Sequence, residues 1–295
     1  MSNLQEIPTG AAPMLGGGIE ECWMDFDGVR MRYLRAGSGP PLILLHGLLG
    51  YSFSWRYAMP ALAPYTTVFA PDLLGAGFSD RPPGIDHSMR GTARRVLEFA
   101  EKLGLSTFDL LGTSRGGAVA MCAAAESMSG DCLRVRRLVL VAPVNPYSVH
   151  GRRLAPFFGS SVGAVMFRSV IGRMPSLYPY WHGRMFGDPK KIPPDSLSGY
   201  AAPLAVPGLF EHGLSIVKTW SADLQELDGF LPKLAPIPTL LIWGSKDPAV
   251  HASSMEPLAR HFSKVRTIVF PGVGHLPYEE CPDEFNRALI QFLRK

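Results

Sequence analysis

The stretch "LLGTSRGGAVA" (residues 110–120) decides how this chain is read. Two leucines lead into Gly112-Thr113-Ser114-Arg115-Gly116, and a run of small residues follows. An apolar run that breaks at glycine and resumes with small residues predicts a strand, a sharp turn and a helix. A serine on such a turn is held in a strained backbone conformation. Gly112 and Gly116 leave room where the chain doubles back on itself. Gly117, Ala118 and Ala120 then let the helix pack closely on the sheet. Its N-terminus directs positive partial charge at the serine. The five-residue pattern alone is weak, because "GSSVG" at 159–163 matches it too. No apolar strand precedes Ser161, which reads as an ordinary serine.

Outward from this turn, short apolar runs alternate with helical stretches. Residues 21–36 alternate in polarity around Asp27-Gly28, a two-residue hairpin signal. "PPLILLHG" (40–47), "TTVFAPD" (66–72), "FDLLGTS" (108–114), "RRLVLVAP" (136–143), "PTLLIWG" (238–244) and "VRTIVFPG" (265–272) read as buried strands. "FSWRYAMPALAPY" reads as a short helix. Residues 86–104 read as a longer one, with Asp86 or Ser88 at its start and Gly104 at its end. "PDEFNRALIQFLRK" closes the chain as an amphipathic helix. The pattern predicts an α/β fold with a mostly parallel sheet, helices on both faces and an antiparallel hairpin at its edge. Residues 146–233 carry no strand-like run and are rich in Phe, Met, Tyr and Trp. They predict a helical lid inserted between two core segments, 19–145 and 234–295, and able to line an apolar pocket. Residues 1–18 predict a flexible tail.

The chain is 46% hydrophobic over 295 residues, enough for a large core. Its 29 basic and 25 acidic residues give +4, spread without runs, so the charge does not point to nucleic acid. No apolar run approaches the roughly 20 residues that span a bilayer. The N-terminus lacks the basic start and apolar stretch of a signal peptide, which predicts a cytoplasmic protein. Cys22, Cys122, Cys132 and Cys281 lack metal-ligand spacing and read as free thiols. No metal or organic cofactor is implied. Oligomeric state is not readable.

In a parallel sheet, reactive groups collect at the carboxyl ends of the strands. Ser114, Asp247 and His275 fall at three such ends, in the order nucleophile, acid, base. A serine hydroxyl is too weak an acid to attack unaided. An imidazole takes its proton, and a carboxylate fixes the imidazole's tautomer and stabilises its charged form. An oxyanion also needs donors. The N–H of Arg115 at the helix start is one, and the N–H of Leu48, after "LILLHG", is the second.

At this level the chain resembles the α/β-hydrolase superfamily, in its lidded branch. The resemblance rests on "LLHGLLG", "PDLLGAGFSD", "LLGTSRGG", "LLIWGSKDPAV" and "FPGVGHLPYEECPDEFNRALIQFL", spanning about 40–295. It implies an eight-stranded sheet, Ser114 as nucleophile, Asp247 as acid, His275 as base, and the amides of Leu48 and Arg115 as oxyanion donors. Epoxide hydrolases and haloalkane dehalogenases resemble the same scaffold but use aspartate where this chain has Ser114. An aspartate displaces at an alkyl carbon, whereas a serine adds to a carbonyl. The implied function is therefore a serine esterase acting on a small-molecule ester with an apolar acyl or alcohol part. Carbon–carbon bond hydrolysis, a perhydrolase-like reaction and a slow-turnover small-ligand receptor stand as alternatives. Leu276 stands where carbon–carbon hydrolases often carry Trp.

Other polar residues have plainer readings. His46 orients its loop, and Asp72 and Asp80 hold theirs. His87, His150, His182, His212, His251 and His261 read as surface or lid residues. Asp223, Glu226 and Asn145 are rival positions for the acid. The Arg115 side chain either pairs with a nearby acid or reaches the pocket as a contact for an acidic substrate.

Overall fold

The computed structural model describes residues 18–130, 132–148 and 174–295, with 160, 162, 163, 165, 166 and 169 between them. The expected tail up to residue 17, His150 and Ser161 lie outside the described residues.

Eight strands form one sheet. They are β1 (Ile19–Phe26), β2 (Val29–Ala36), β3 (Pro41–Leu45), β4 (Thr67–Pro71), β5 (Thr107–Thr113), β6 (Arg134–Val141), β7 (Thr239–Gly244) and β8 (Val265–Phe270). Their order is β1-β2-β4-β3-β5-β6-β7-β8. The β1–β2 hairpin turns on Asp27 (φ 52°) and Gly28 (φ 87°), the pair of positive φ angles that a two-residue hairpin requires. β2 runs antiparallel to β1 and β4, and every other neighbouring pair is parallel.

The central strands are buried on both faces, which is why they read as continuous apolar runs. Alternate residues point to opposite layers. Leu45, Leu110, Leu140, Leu241 and Trp243 pack with α2 (Met89–Lys102) and α3 (Arg115–Ser127). Leu44, Leu111, Val141 and Ile242 pack with α1 (Ala58–Leu62) and the closing helix, whose apolar face carries Phe285 and Leu289. Ser88 caps α2 by accepting the Gly91 N–H at 2.9 Å. Residues 53–65 do not form one helix. A 3-10 turn at Ser52–Trp55 precedes α1, because Pro60 has no N–H to continue a helix from upstream and is tolerated only in a first turn.

Between β6 and β7 the chain leaves the sheet. Its described helices are α4 (Met174–Arg184), α5 (Ser196–Ala201) and α6 (Leu209–Phe230). The remaining short helices, α7 (Met255–Ala259) and α8 (Pro277–Glu280), precede α9 (Pro282–Leu293). The four cysteines are unpaired. No helix among the described residues is long and apolar enough to cross a membrane.

Candidate active site

Ser114 is the single residue between β5 and α3, at φ 52° and ψ −122°. A non-glycine residue there stores on the order of 1–3 kcal/mol of strain and persists only when its surroundings over-determine it. They do so here. The Ser114 N–H donates to the Val141 carbonyl at 2.9 Å, and the Ser114 carbonyl accepts from Gly117 and Val144 at 3.0 and 2.9 Å. The two glycines have different tasks. A Cβ on Gly112 would stand 2.2 Å from the Gly116 carbonyl oxygen. A Cβ on Gly116 would meet the end of β3 instead, 2.3 Å from the His46 carbonyl oxygen. The turn thus passes between its own strand and the neighbouring one.

Asp247 and His275 follow β7 and β8. The His275 Nδ1 lies 2.7 Å from Asp247 Oδ2. The other carboxylate oxygen, Oδ1, accepts from the N–H groups of Ala249 and Val250 at 2.8 and 2.9 Å. Each oxygen therefore has a defined partner, and the acid cannot swing away from the ring. With a proton on Nδ1, the imidazole keeps a lone pair on Nε2. The rival acids are engaged elsewhere. Asp223 accepts from Thr219, Glu226 from Arg90, and Asn145 bonds Pro143 and Ser254.

The loop after β3 closes over Ser114. A Cβ on Gly47 would lie 3.0 Å from Ser114 Cβ, so Leu48 begins directly beside the nucleophile position. His46 fixes this loop. Its Nδ1 lies 2.9 Å from the Gly47 carbonyl, and its Nε2 accepts the Leu73 N–H at 3.0 Å. Asp72 braces the next loop by accepting from Ser52 N–H, Phe78 N–H and Arg32. Asp80 likewise accepts the Arg30 N–H.

Ser114 and His275 open on the same cavity, of about 500 Å³. Leu48, Leu49, Met185, Leu209, Val217 and Leu276 supply apolar walls, with Tyr178, Trp181, Tyr200 and Tyr278 around them. None of its described lining residues is Arg, Lys, Asp or Glu. A groove of about 680 Å³ along α9 brings together no nucleophile and base. Among the described residues, no three His, Cys, Asp or Glu side chains are grouped to hold a metal.

The Arg115 guanidinium is not part of the cavity lining. It is 5% exposed and turns back under the N-terminus of α2, where Nη2 donates to the His87 carbonyl and to Thr92. Burial pushes its pKa down to about 10, with Asp223 pulling the other way. Among the described residues its bonds thus run to the start of α2 and away from the cavity lining. Its backbone still starts α3 beside Ser114.

Three histidines read as surface or lid residues are buried. His87 and His212 meet edge to face, with ring centroids 4.4 Å apart, where α6 crosses the loop before α2. Burial pushes His87 down to about 4 and His212 well below its usual range. His182, on α4, lines the cavity itself. Its Nε2 lies 3.0 Å from Ser196 Oγ. Burial, then the Arg56 charge, pushes it down to about 4.

Two acids in "HLPYEE" hold the surroundings of the site. Glu279 is 2% exposed and pairs with both terminal nitrogens of Arg56, at 2.6 Å through Nη2. Burial still raises its pKa, against the pull of Arg56. Glu280 accepts from the N–H groups of Gly187, Asp188 and Gly274 at 2.8–2.9 Å. It ties the segment after α4 to the loop that carries His275. The signal for both was present only as adjacency to that histidine.

Residues 42–288 match the model of the alpha/beta hydrolase family. The chain belongs to that family. Haloalkane dehalogenase 2 of Mycobacterium tuberculosis is 28% identical over 285 residues, covering 92% of this chain and 94% of that protein. N-formylmaleamate deformylase of Pseudomonas putida is 37% identical over 131 residues, 44% of this chain and 47% of that protein. Among solved structures, a meta-cleavage product hydrolase from Pseudomonas fluorescens IP01 superposes with a TM-score of 0.70 at 26% identity. It covers 90% of this chain and 95% of that one. Hydrolysis is common to the family, and this chain is a hydrolase of that kind.

Proposed function

We propose that the chain is a serine hydrolase of carboxylic esters. One observation carries the reading: a serine on a strained turn shares a cavity with an imidazole whose far nitrogen is held by a buried carboxylate. Ser114 Oγ adds to the ester carbonyl as His275 Nε2 takes its proton, and Asp247 stabilises the imidazolium. The developing oxyanion lies between the N–H groups of Leu48 and Arg115. Each such donor is worth about 3–4 kcal/mol of barrier. His275 returns the proton to the departing alkoxide. It then draws a proton from water, which attacks the acyl-enzyme and frees the acid and the serine.

The nucleophile's identity supports acyl chemistry over the reaction in the dehalogenase relative's name. Attack of the serine oxygen on an alkyl halide would expel halide and leave an alkyl ether, which has no carbonyl for water to attack. The described cavity lining supports a neutral substrate with an apolar body, because none of its described residues offers a carboxylate a cation. The described helices of the insertion, α4, α5 and α6, act as the lid over that body. A fluorophosphonate probe tests the assignment. Wild type becomes labelled at Ser114, and Ser114→Ala does not. Labelling of the variant at the wild-type rate overturns it.

A further inference from the structure

The cavity has a second polar end, built by the helical insertion. His182 is 6% exposed and lies among Tyr178, Phe186 and Tyr200, with ring centroids 5.3–5.7 Å away. Its Nε2 faces Ser196 Oγ at 3.0 Å, and Ser196 Oγ faces Glu279 Oε2 at 3.4 Å. Ser196 is fully buried. Glu279 also accepts from Tyr200 Oη at 2.9 Å and is paired with Arg56.

This chain of contacts has a direction. The guanidinium of Arg56 faces both carboxylate oxygens of Glu279 and favours its ionised form against burial, and a carboxylate only accepts hydrogen bonds. The Ser196 hydroxyl therefore donates to Glu279. Ser196 Oγ then accepts, and the group that faces it is Nε2–H of His182. A neutral imidazole carries one proton, so Nδ1 is left as a bare lone pair. Burial keeps the ring neutral, because it pushes the pKa down to about 4. The network thus fixes the tautomer that a lone imidazole would leave free.

We infer that His182 Nδ1 is a hydrogen-bond acceptor subsite for the substrate, selecting an apolar body that carries one hydroxyl or N–H donor. It is a specificity residue and takes no part in bond cleavage. The inference deepens the ester-hydrolase reading, and rests on that reading only in naming the cavity's occupant a substrate. The donor would enter a slot walled by Tyr178 and Tyr200. Transfer into such a slot disfavours a hydroxyl unless an acceptor meets it. His275 Nε2 also opens on this cavity, so the preference reports the His182 acceptor only where it is lost on changing His182 or Ser196.

The test is equilibrium binding, read by calorimetry, of para-propylphenol and its methyl ether para-propylanisole. Binding needs no turnover, so its outcome is separate from that of the fluorophosphonate experiment. The phenol binds wild type about tenfold more tightly than the ether. His182→Leu brings that ratio close to one. His182→Asn places a carbonyl oxygen near the former Nδ1 position and restores part of the preference. Ser196→Ala unlocks the tautomer and lowers the ratio with His182 intact, which keeps the test decisive if the leucine variant does not fold. A ratio near one in wild type overturns the inference. So does a preference that His182→Leu and Ser196→Ala both leave unchanged.

Discussion

Ser114 and His182 line one cavity but are held by opposite means. Ser114 is fixed by backbone: carbonyls and amides of β6 and the turn clasp it, and two glycines let neighbouring strands close on it. His182 is fixed by side chains, in a relay through Ser196 to the Arg56–Glu279 pair. A backbone clasp needs glycines at set positions and so leaves a mark in the sequence. A side-chain relay assembles partners 14 and 83 residues apart and leaves none.

The contrast can be broken most severely on the core side. Ser114→Ala lowers turnover of a para-nitrophenyl ester by a factor of at least about 10³. Its unfolding free energy stays within about 1 kcal/mol of wild type. Stopped-flow release of nitrophenol and a denaturant titration check the pair of outcomes. Gly116→Ala does the reverse. Its Cβ falls 2.3 Å from a backbone oxygen. The fold loses about 3 kcal/mol or more, seen as a lower urea midpoint with the slope unchanged.

On the insertion side, Glu279→Ala removes the bidentate partner of the partly buried Arg56, leaves it only the exposed Asp195, and costs about 3 kcal/mol. Hydrogen exchange locates the loss. Amides of α5 open first while those of α3 stay protected, if the relay holds the insertion and not the core. Acid sharpens the same point. His87 and His182 have folded pKa values of about 4, below the free value of about 6.5. Between those pH values the unfolded chain binds more protons, so stability falls as pH drops from about 6.5 towards 4 and is fully present above that window. His182→Asn shallows the slope of the melting temperature against pH across it. A slope equal to that of wild type removes His182 from the account.

The smallest effect belongs to Arg115. Arg115→Met changes kcat/KM for paired neutral and acidic esters by the same modest factor, because the guanidinium bonds the His87 carbonyl and stays out of the cavity lining. A selective loss on the acidic ester would return it to the substrate.

The legible part of this molecule follows the same division. Strand runs, the Asp27-Gly28 turn and the strained turn at Ser114 are local patterns, and each stands where the sequence placed it. Asp247 and His275 were legible because strand ends are where such groups gather, and their 2.7 Å contact follows from adjacent β7 and β8. Glu279 carries no signal in the sequence beyond its nearness to His275, and His182 reads there only as a surface or lid residue, for a shared reason. Each sits on a short helical turn or an irregular insertion, where neither periodicity nor spacing reveals the partner. His46, by contrast, could be read as a loop brace from its strand-end position alone.

The three amides gathered by Glu280 have a consequence for how this scaffold can be rebuilt. Gly187 and Asp188 belong to the inserted segment by chain position, yet they share one carboxylate with Gly274. The Met185 carbonyl takes the N–H of His275 itself, at 2.7 Å. Mechanically, residues 185–188 are part of the base loop. The first exchangeable stretch of the insertion therefore ends at Arg184. A chimera that imports a foreign cap preserves a seated imidazole when its crossover falls before Met185, and unseats it when the graft runs through.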